Sequence, residues 1–151
     1  MLLVSNQFSK RGHMNISAYL DNVAKPFMNF SPWLLRLSLG TSFILHGLGK
    51  FPMPADGMVK LFESKGILFR ELTASLVALG EVGAGAAVII GGFLGPTGHL
   101  VTRLGGGAVA VIMIGALLIA HPDWLITQKL FMSEQIFLLA LGSYFAIRGN
   151  N

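Results

Sequence analysis

The sequence predicts an all-α membrane protein: a four-transmembrane-helix bundle with short interfacial amphipathic helices. Composition is the first observation behind it. Of 151 residues, 53% are hydrophobic and only 12% charged, where a soluble domain carries about a quarter, and the mean hydropathy is +0.66. The second is a set of four long apolar runs. The third is glycine: 19 residues, many inside those runs, where small residues let membrane helices pack closely.

In chain order, MLLVSNQFSKRGHM does not read as a secretory signal, because its apolar run is short and interrupted. Met1 and Met14 both stand as starts. Residues 1–30 form an N-terminal segment and 31–148 the membrane domain. From Asn15 to Phe27, residues Ile16, Tyr19, Leu20, Val23 and Phe27 recur at the spacing of one helix face. Ser17 is placed to cap this helix and Pro26 to limit it. It reads as a helix on the membrane surface, with a frayed tail as the alternative.

The first span runs from Ser31 to Lys50, near the roughly 20 residues a bilayer core requires. Arg36, Gly40, Phe43, Gly47 and Lys50 fall on one of its faces, with His46 at the edge. Polar groups at that depth must face protein, water or ligand rather than lipid. Pro52 and Pro54 end the span. Ala55 to Lys65 then forms a second interfacial helix, with Met58, Leu61 and Phe62 on one side and Gly66 as its C-terminal cap.

The second span, Glu71 to Phe93, holds Glu81 among small residues. Gly95-Pro96-Thr97-Gly98 is a turn signal. The third span, Val101 to His121, stops at Pro122, since the residue before proline is pushed out of the helical region. The fourth runs from Leu130 to Ile147, with Glu134 and Gln135 near its start. Four spans place both termini on one side. Lysine and arginine divide evenly between the sides, so the positive-inside rule gives only a lean toward cytoplasmic termini.

The chemistry the chain can carry is bounded by what it lacks. Without cysteine there is no disulfide, no thiol relay and no cysteine-ligated iron–sulfur cluster. The net charge of +4 comes from residues near helix ends, which suits anionic lipid headgroups rather than nucleic acid. No intrinsic cofactor and no metal are expected. Gly83-Ala84-Gly85 and Gly105-Gly106-Gly107 lack the Lys-Ser/Thr of a phosphate loop.

Under the predicted topology His46, Lys50, His121 and Glu134 gather at the membrane face opposite the termini. Glu81 lies about 15 Å in from Glu71 at 1.5 Å per residue, and Arg36 lies deeper, toward the other face. Arg36, His46, Lys50, Glu81, His121 and Glu134 are therefore the candidate ligand-binding residues, a pocket for a polar head group. Each has a plainer reading. Arg36 and Glu81 can neutralise each other, and His46 can be an ordinary bundle residue. His121 can be interfacial, Lys50 can snorkel to lipid phosphate, and Glu134 can be a helix N-terminal acid. Haem held by His46 and His121, or zinc held by His46, His121 and Glu134, is a weaker reading whose spacing is not diagnostic.

The segments LLRLSLGTSFILHGLGKF, LVALGEVGAGAAVIIGGFLGPTGHLVTRLGGG, VIMIGALLIAHPDW and SEQIFLLALGSYF together resemble the DoxX family of small four-helix bacterial membrane proteins. Arg36, Gly40, Gly47, Lys50, Glu81 and Glu134 match its polar pattern. The resemblance implies a multi-pass protein of the bacterial inner membrane. One branch is similar to the small membrane subunit of a thiosulfate:quinone oxidoreductase, and others are associated with oxidoreductase or oxidative-stress assemblies. The expected function is thus a membrane subunit linked to a quinone-dependent oxidoreductase, with a bound quinone the one cofactor in view. A thiosulfate substrate sits poorly with the lack of cysteine. The alternative is a non-catalytic accessory subunit stabilising a larger complex, and a small transporter has little room in four spans. Membrane lipids and a larger complex or homo-oligomer are the expected partners.

Overall fold

The computed structural model describes residues 16–150, and every regular element among them is helical. The start of the protein, Lys10 and Arg11 lie outside the described residues. The chain divides into two units, Met1–Pro32 and Trp33–Asn151. In the first, α1 (Ile16–Ala24) follows the predicted apolar spacing, and Lys25–Phe27 continues it as a 3-10 turn around Pro26. No residue of α1 is buried.

The second unit holds most of α2 (Ser31–Leu48), whose buried residues are Arg36, Leu39, Gly40, Phe43 and Gly47. The stripe read from the sequence is therefore the inward face, with Lys50 just past the helix end. After the Pro52 and Pro54 segment comes α3 (Asp56–Ser64). Gly66, at φ 68°, then turns the chain in the left-handed region that glycine adopts most readily. The long helices α4 (Arg70–Gly91) and α5 (Gly95–Gly115) follow.

The boundary between α4 and α5 differs from expectation. Gly95-Pro96-Thr97-Gly98 is the first turn of α5 rather than a loop. Proline fits the start of a helix, where its missing N–H would be unpaired anyway, so the turn falls at 92–94. The end of α5 also differs. Ala116–Ala120 is a π-helical turn, with the His121 N–H donating to the Ala116 carbonyl at 3.2 Å. Pro122–Ile126 is a 3-10 turn.

The expected fourth span is two pieces, α6 (Lys129–Met132) and α7 (Glu134–Arg148), separated by an extended Ser133. The Ser133 hydroxyl donates to the Leu130 carbonyl at 3.1 Å, a local bond of the kind that competes with helix continuation. The 15 residues of α7 rise about 22 Å. Among the described residues two helices are long and apolar enough to cross a membrane: Arg70–Gly91, with mean hydropathy 1.8, and Gly95–Ala120, with 2.0.

Glycine seams bring the helices together. A Cβ on Gly85 of α4 would stand 3.0 Å from the Ile44 N of α2, and one on Gly40 would stand 2.8 Å from the Gly85 carbonyl oxygen. Gly105 and Gly106 serve different neighbours, because adjacent helical residues point about 100° apart. A Cβ on Gly105 would meet Ala84 and Ala87 of α4. One on Gly106 would meet the α7 backbone, 2.6 Å from Ala146 N and 2.7 Å from the Gly142 oxygen. Leu39 and Phe43 of α2, Ala84 and Val88 of α4, Val109 and Met113 of α5, and Leu138 and Phe145 of α7 close the core.

Many large apolar side chains face outward, unlike those of a soluble bundle. Glycine, alanine and threonine occupy many inward positions, while Leu76, Leu104, Val111 and Ile147 are 58–77% exposed. Only 39% of the apolar window of α4 and 28% of that of α5 is buried. Helices this apolar are normally covered in a water-soluble fold. An apolar solvent leaves large side chains outside and gives small residues the contacts.

Candidate functional site

At the end of the second unit where α2 and the π-helical turn finish, the helices enclose a cavity of about 390 Å³. Its apolar wall comes from Met58, Leu61 and Phe62 of α3, Val77 of α4, Ile112 and Met113 of α5, and Leu138 of α7. Gly115 at the end of α5 and Ala116, Ile119 and Ala120 of the π-helical turn complete it. Such one-turn irregularities are frequent at functional sites. The apolar side of α3, read from the sequence as an interfacial helix, contributes Met58, Leu61 and Phe62 to this lining, and Phe62 is 6% exposed.

The polar groups of the cavity are His46, Lys50, Thr73, Glu81 and Gln135. Lys50 Nζ forms an ion pair with Glu81 Oε2 and donates to the His46 carbonyl at 3.1 Å. The side chain of Glu81 is 5% exposed and that of Lys50 22%. An ammonium has three N–H groups, and two of them are used in these bonds. His46 Nε2 lies 3.1 Å from Glu134 Oε1. Glu134 opens α7, where its charge also suits the helix N-terminus. Gln135 is different: its Oε1 is fully buried and no donor among the described residues reaches it.

Four of the six candidate residues thus belong to one cluster: His46, Lys50 and Glu81 line the cavity, and Glu134 pairs with His46. Two do not. His121 is absent from the lining and stacks on Trp124, with ring centroids 3.8 Å apart and planes at 14°. The π-helical turn ends just before it and leaves the histidine in the following loop. Among the described residues no three histidine or carboxylate side chains converge as a metal site would require.

Arg36 is the second exception, and it does not neutralise Glu81. It lies toward the opposite end of α2. Its Nη1 donates to the Val88 carbonyl at 2.8 Å and to Thr102 Oγ1 at 2.9 Å. Its Nη2 donates to the Gly149 carbonyl at 3.3 Å and to Asn150 Oδ1 at 2.7 Å. The guanidinium also stands 4.9 Å from the centre of the Phe145 ring. Asn150 Nδ2 donates in turn to the Gly91 carbonyl at 2.9 Å. Arg36 therefore fastens α2, α4, α5 and the end of α7 together.

Gln135 is the site residue that sequence reasoning passed over. Its position beside Glu134 was visible, but an amide without charge gives no reason to single it out. The signal was helical spacing: Gln135 and Leu138 are three apart and share a face.

A family model described as DoxX matches residues 31–122. No curated protein matches the chain, and no solved structure does.

Proposed function

The chain belongs to the DoxX family, and from that premise we propose that it is a small four-span inner-membrane subunit serving a quinone-dependent oxidoreductase. Family membership and two helices of spanning length and hydropathy point to a small membrane protein. In the proposed topology α2 and α7 are the remaining spans, α1 and α3 lie at the membrane surfaces, and residues 31–148 form the working domain. The many large apolar side chains facing outward support it.

One observation carries the functional reading: a cavity of ligand size, apolar over most of its wall, with His46 and the Lys50–Glu81 pair in its lining. About 390 Å³ falls within the roughly 300–1,000 Å³ common for small-molecule sites. Charge favours a neutral occupant over an anion, because Lys50 is matched by Glu81 and His46 by Glu134. A quinone-type ring fits this pattern. Its apolar body lies against Phe62, Ile112 and Met113. Lys50 donates to a ring oxygen, and the His46–Glu134 pair, with Glu134 exposed, offers a proton route from the surface. The accessory-subunit reading draws on the glycine faces and on the exposed apolar surface left for a partner.

Purification from native membranes in mild detergent separates the two. Stoichiometric quinone on the isolated chain, lost in Glu81→Gln and His46→Gln, supports the ring site. A large co-purifying enzyme, with no quinone retained by this chain alone and full activity in Glu81→Gln, supports the accessory role instead.

A further inference from the structure

The packing of α4 against α5 changes along its length. At one end it is tight: a Cβ on Gly98 would collide with the Gly91 carbonyl, and one on Gly105 would stand 2.9 Å from the Ala87 Cβ. Further along, a Cβ on Gly80 would meet only the tip of Ile112, at 3.3 Å, and one on Gly115 would meet no described heavy atom within 4 Å. The two helices therefore loosen toward the cavity, whose lining there includes Val77 of α4 and Val111, Ile112 and Gly115 of α5. Val111 and Gly115 are four apart and share a helix face. Val111 is also 69% exposed, as is Leu104, two turns earlier, at 65%. One side chain thus lines the cavity and meets the outside, and in the proposed topology that outside is lipid hydrocarbon. Val77, Val111, Ile112 and Gly115 carry no polar side-chain atom, so the gap between the helices suits an alkyl chain and penalises a polar one.

We infer that the cavity opens sideways between α4 and α5 into the hydrocarbon, so that its ligand is a membrane-borne amphiphile, with a ring held inside and one alkyl or isoprenoid tail leaving past Val77 and Val111. This rests on the ring-binding and membrane readings above and adds the class of ligand and the route by which it enters. A tailless, water-soluble ring leaves the gap unfilled, whereas a tail gives Val77 and Val111 apolar contact along its length.

The sequence has no cysteine, so a single one can be introduced and labelled. Leu76→Cys stands beside Val77 on α4, and Leu45→Cys lies on α2 near the same end. Both residues are exposed, at 58% and 61%, and neither lines the cavity. Each full-chain variant, labelled with bimane in lipid nanodiscs, is titrated anaerobically with trimethylhydroquinone bearing a decyl tail brominated near the ring. Bromine quenches the label only at short range. Saturable quenching at position 76 but not at 45, reversed by excess tailless trimethylhydroquinone, is the expected result. Equal, unsaturable quenching at both positions, with the tailless ring still binding by calorimetry, would overturn the portal and leave the ring site intact. Selective quenching by brominated decanol, which has no ring, would make the gap a lipid-chain site and overturn the inference too. If neither ring binds, the ring-binding reading falls and the inference with it. A second measurement needs no label: Val111→Trp, which fills the gap from its exposed side, should weaken binding of the tailed ring about tenfold relative to the tailless one. An unchanged ratio in a folded variant would overturn the portal.

Discussion

Replacing Lys50 by methionine is the sharpest perturbation of the cavity, because it strands the Glu81 carboxylate. The Glu81 side chain is 5% exposed and its described cationic partner is Lys50. Breaking a buried ion pair from one side costs about 3–5 kcal/mol, while replacing both members by apolar groups is often close to neutral. The two single variants should differ. In Glu81→Gln, Lys50 keeps its bond to the His46 carbonyl, and its 22% exposure lets the flexible stem carry the charge outward. That loss should be about 1–2 kcal/mol. Lys50→Met should cost about 3–5 kcal/mol, and the double variant Lys50→Met/Glu81→Met about 1–2 kcal/mol. Reversible unfolding in mixed micelles of a mild detergent and dodecyl sulfate measures all three. Single-variant costs that simply add in the double variant would refute the pair, since coupled neighbours do not add. A loss below about 1 kcal/mol for Lys50→Met would refute the burial argument.

Two further predictions concern packing. Gly106→Ala places a Cβ against the α7 backbone, whereas Gly107→Ala meets nothing within 4 Å. The first should cost about 1–3 kcal/mol and the second about zero, in the same unfolding assay. Equal effects would contradict the close α5–α7 seam. Arg36→Lys keeps the charge but cannot serve four acceptors spread over α4, α5 and the end of α7. A loss of about 2–4 kcal/mol is expected, with trypsin cleaving sooner after Arg148, and a stable variant would show that the network does not hold the bundle.

Much of this was legible in the residues. The stripe of Arg36, Gly40, Phe43 and Gly47 is buried as helical spacing requires, because a polar and glycine face has no business with lipid. Short elements were legible too, since Pro52, Pro54 and Gly66 bound α3 closely. What spacing could not supply was pairing. Arg36 and Glu81 looked like natural partners by charge, yet they are apart along their helices, and the nearer cation, Lys50, reaches Glu81 first. Proline misled in one place and helped in another: Pro96 begins a helix while Pro122 ends one. The π-helical turn at 116–120 leaves no composition signature, and it moves His121 away from the cavity and into a stack on Trp124. Ser133 divides the last apolar run by a local hydrogen bond that hydropathy does not register.

In the proposed function a quinone-type ring binds in the cavity lined by Lys50, Glu81 and Gln135. Gly115 lines that cavity and has open space where a side chain would begin, so Gly115→Leu should fill it without moving a helix. The decisive measurement is equilibrium binding of trimethylhydroquinone to the native chain and to Gly115→Leu in nanodiscs, with unfolding followed in parallel. Saturable binding by the native chain is expected, with a loss of at least about tenfold in the variant at unchanged stability. Undiminished binding by a stably folded Gly115→Leu would place the ligand elsewhere and contradict the account.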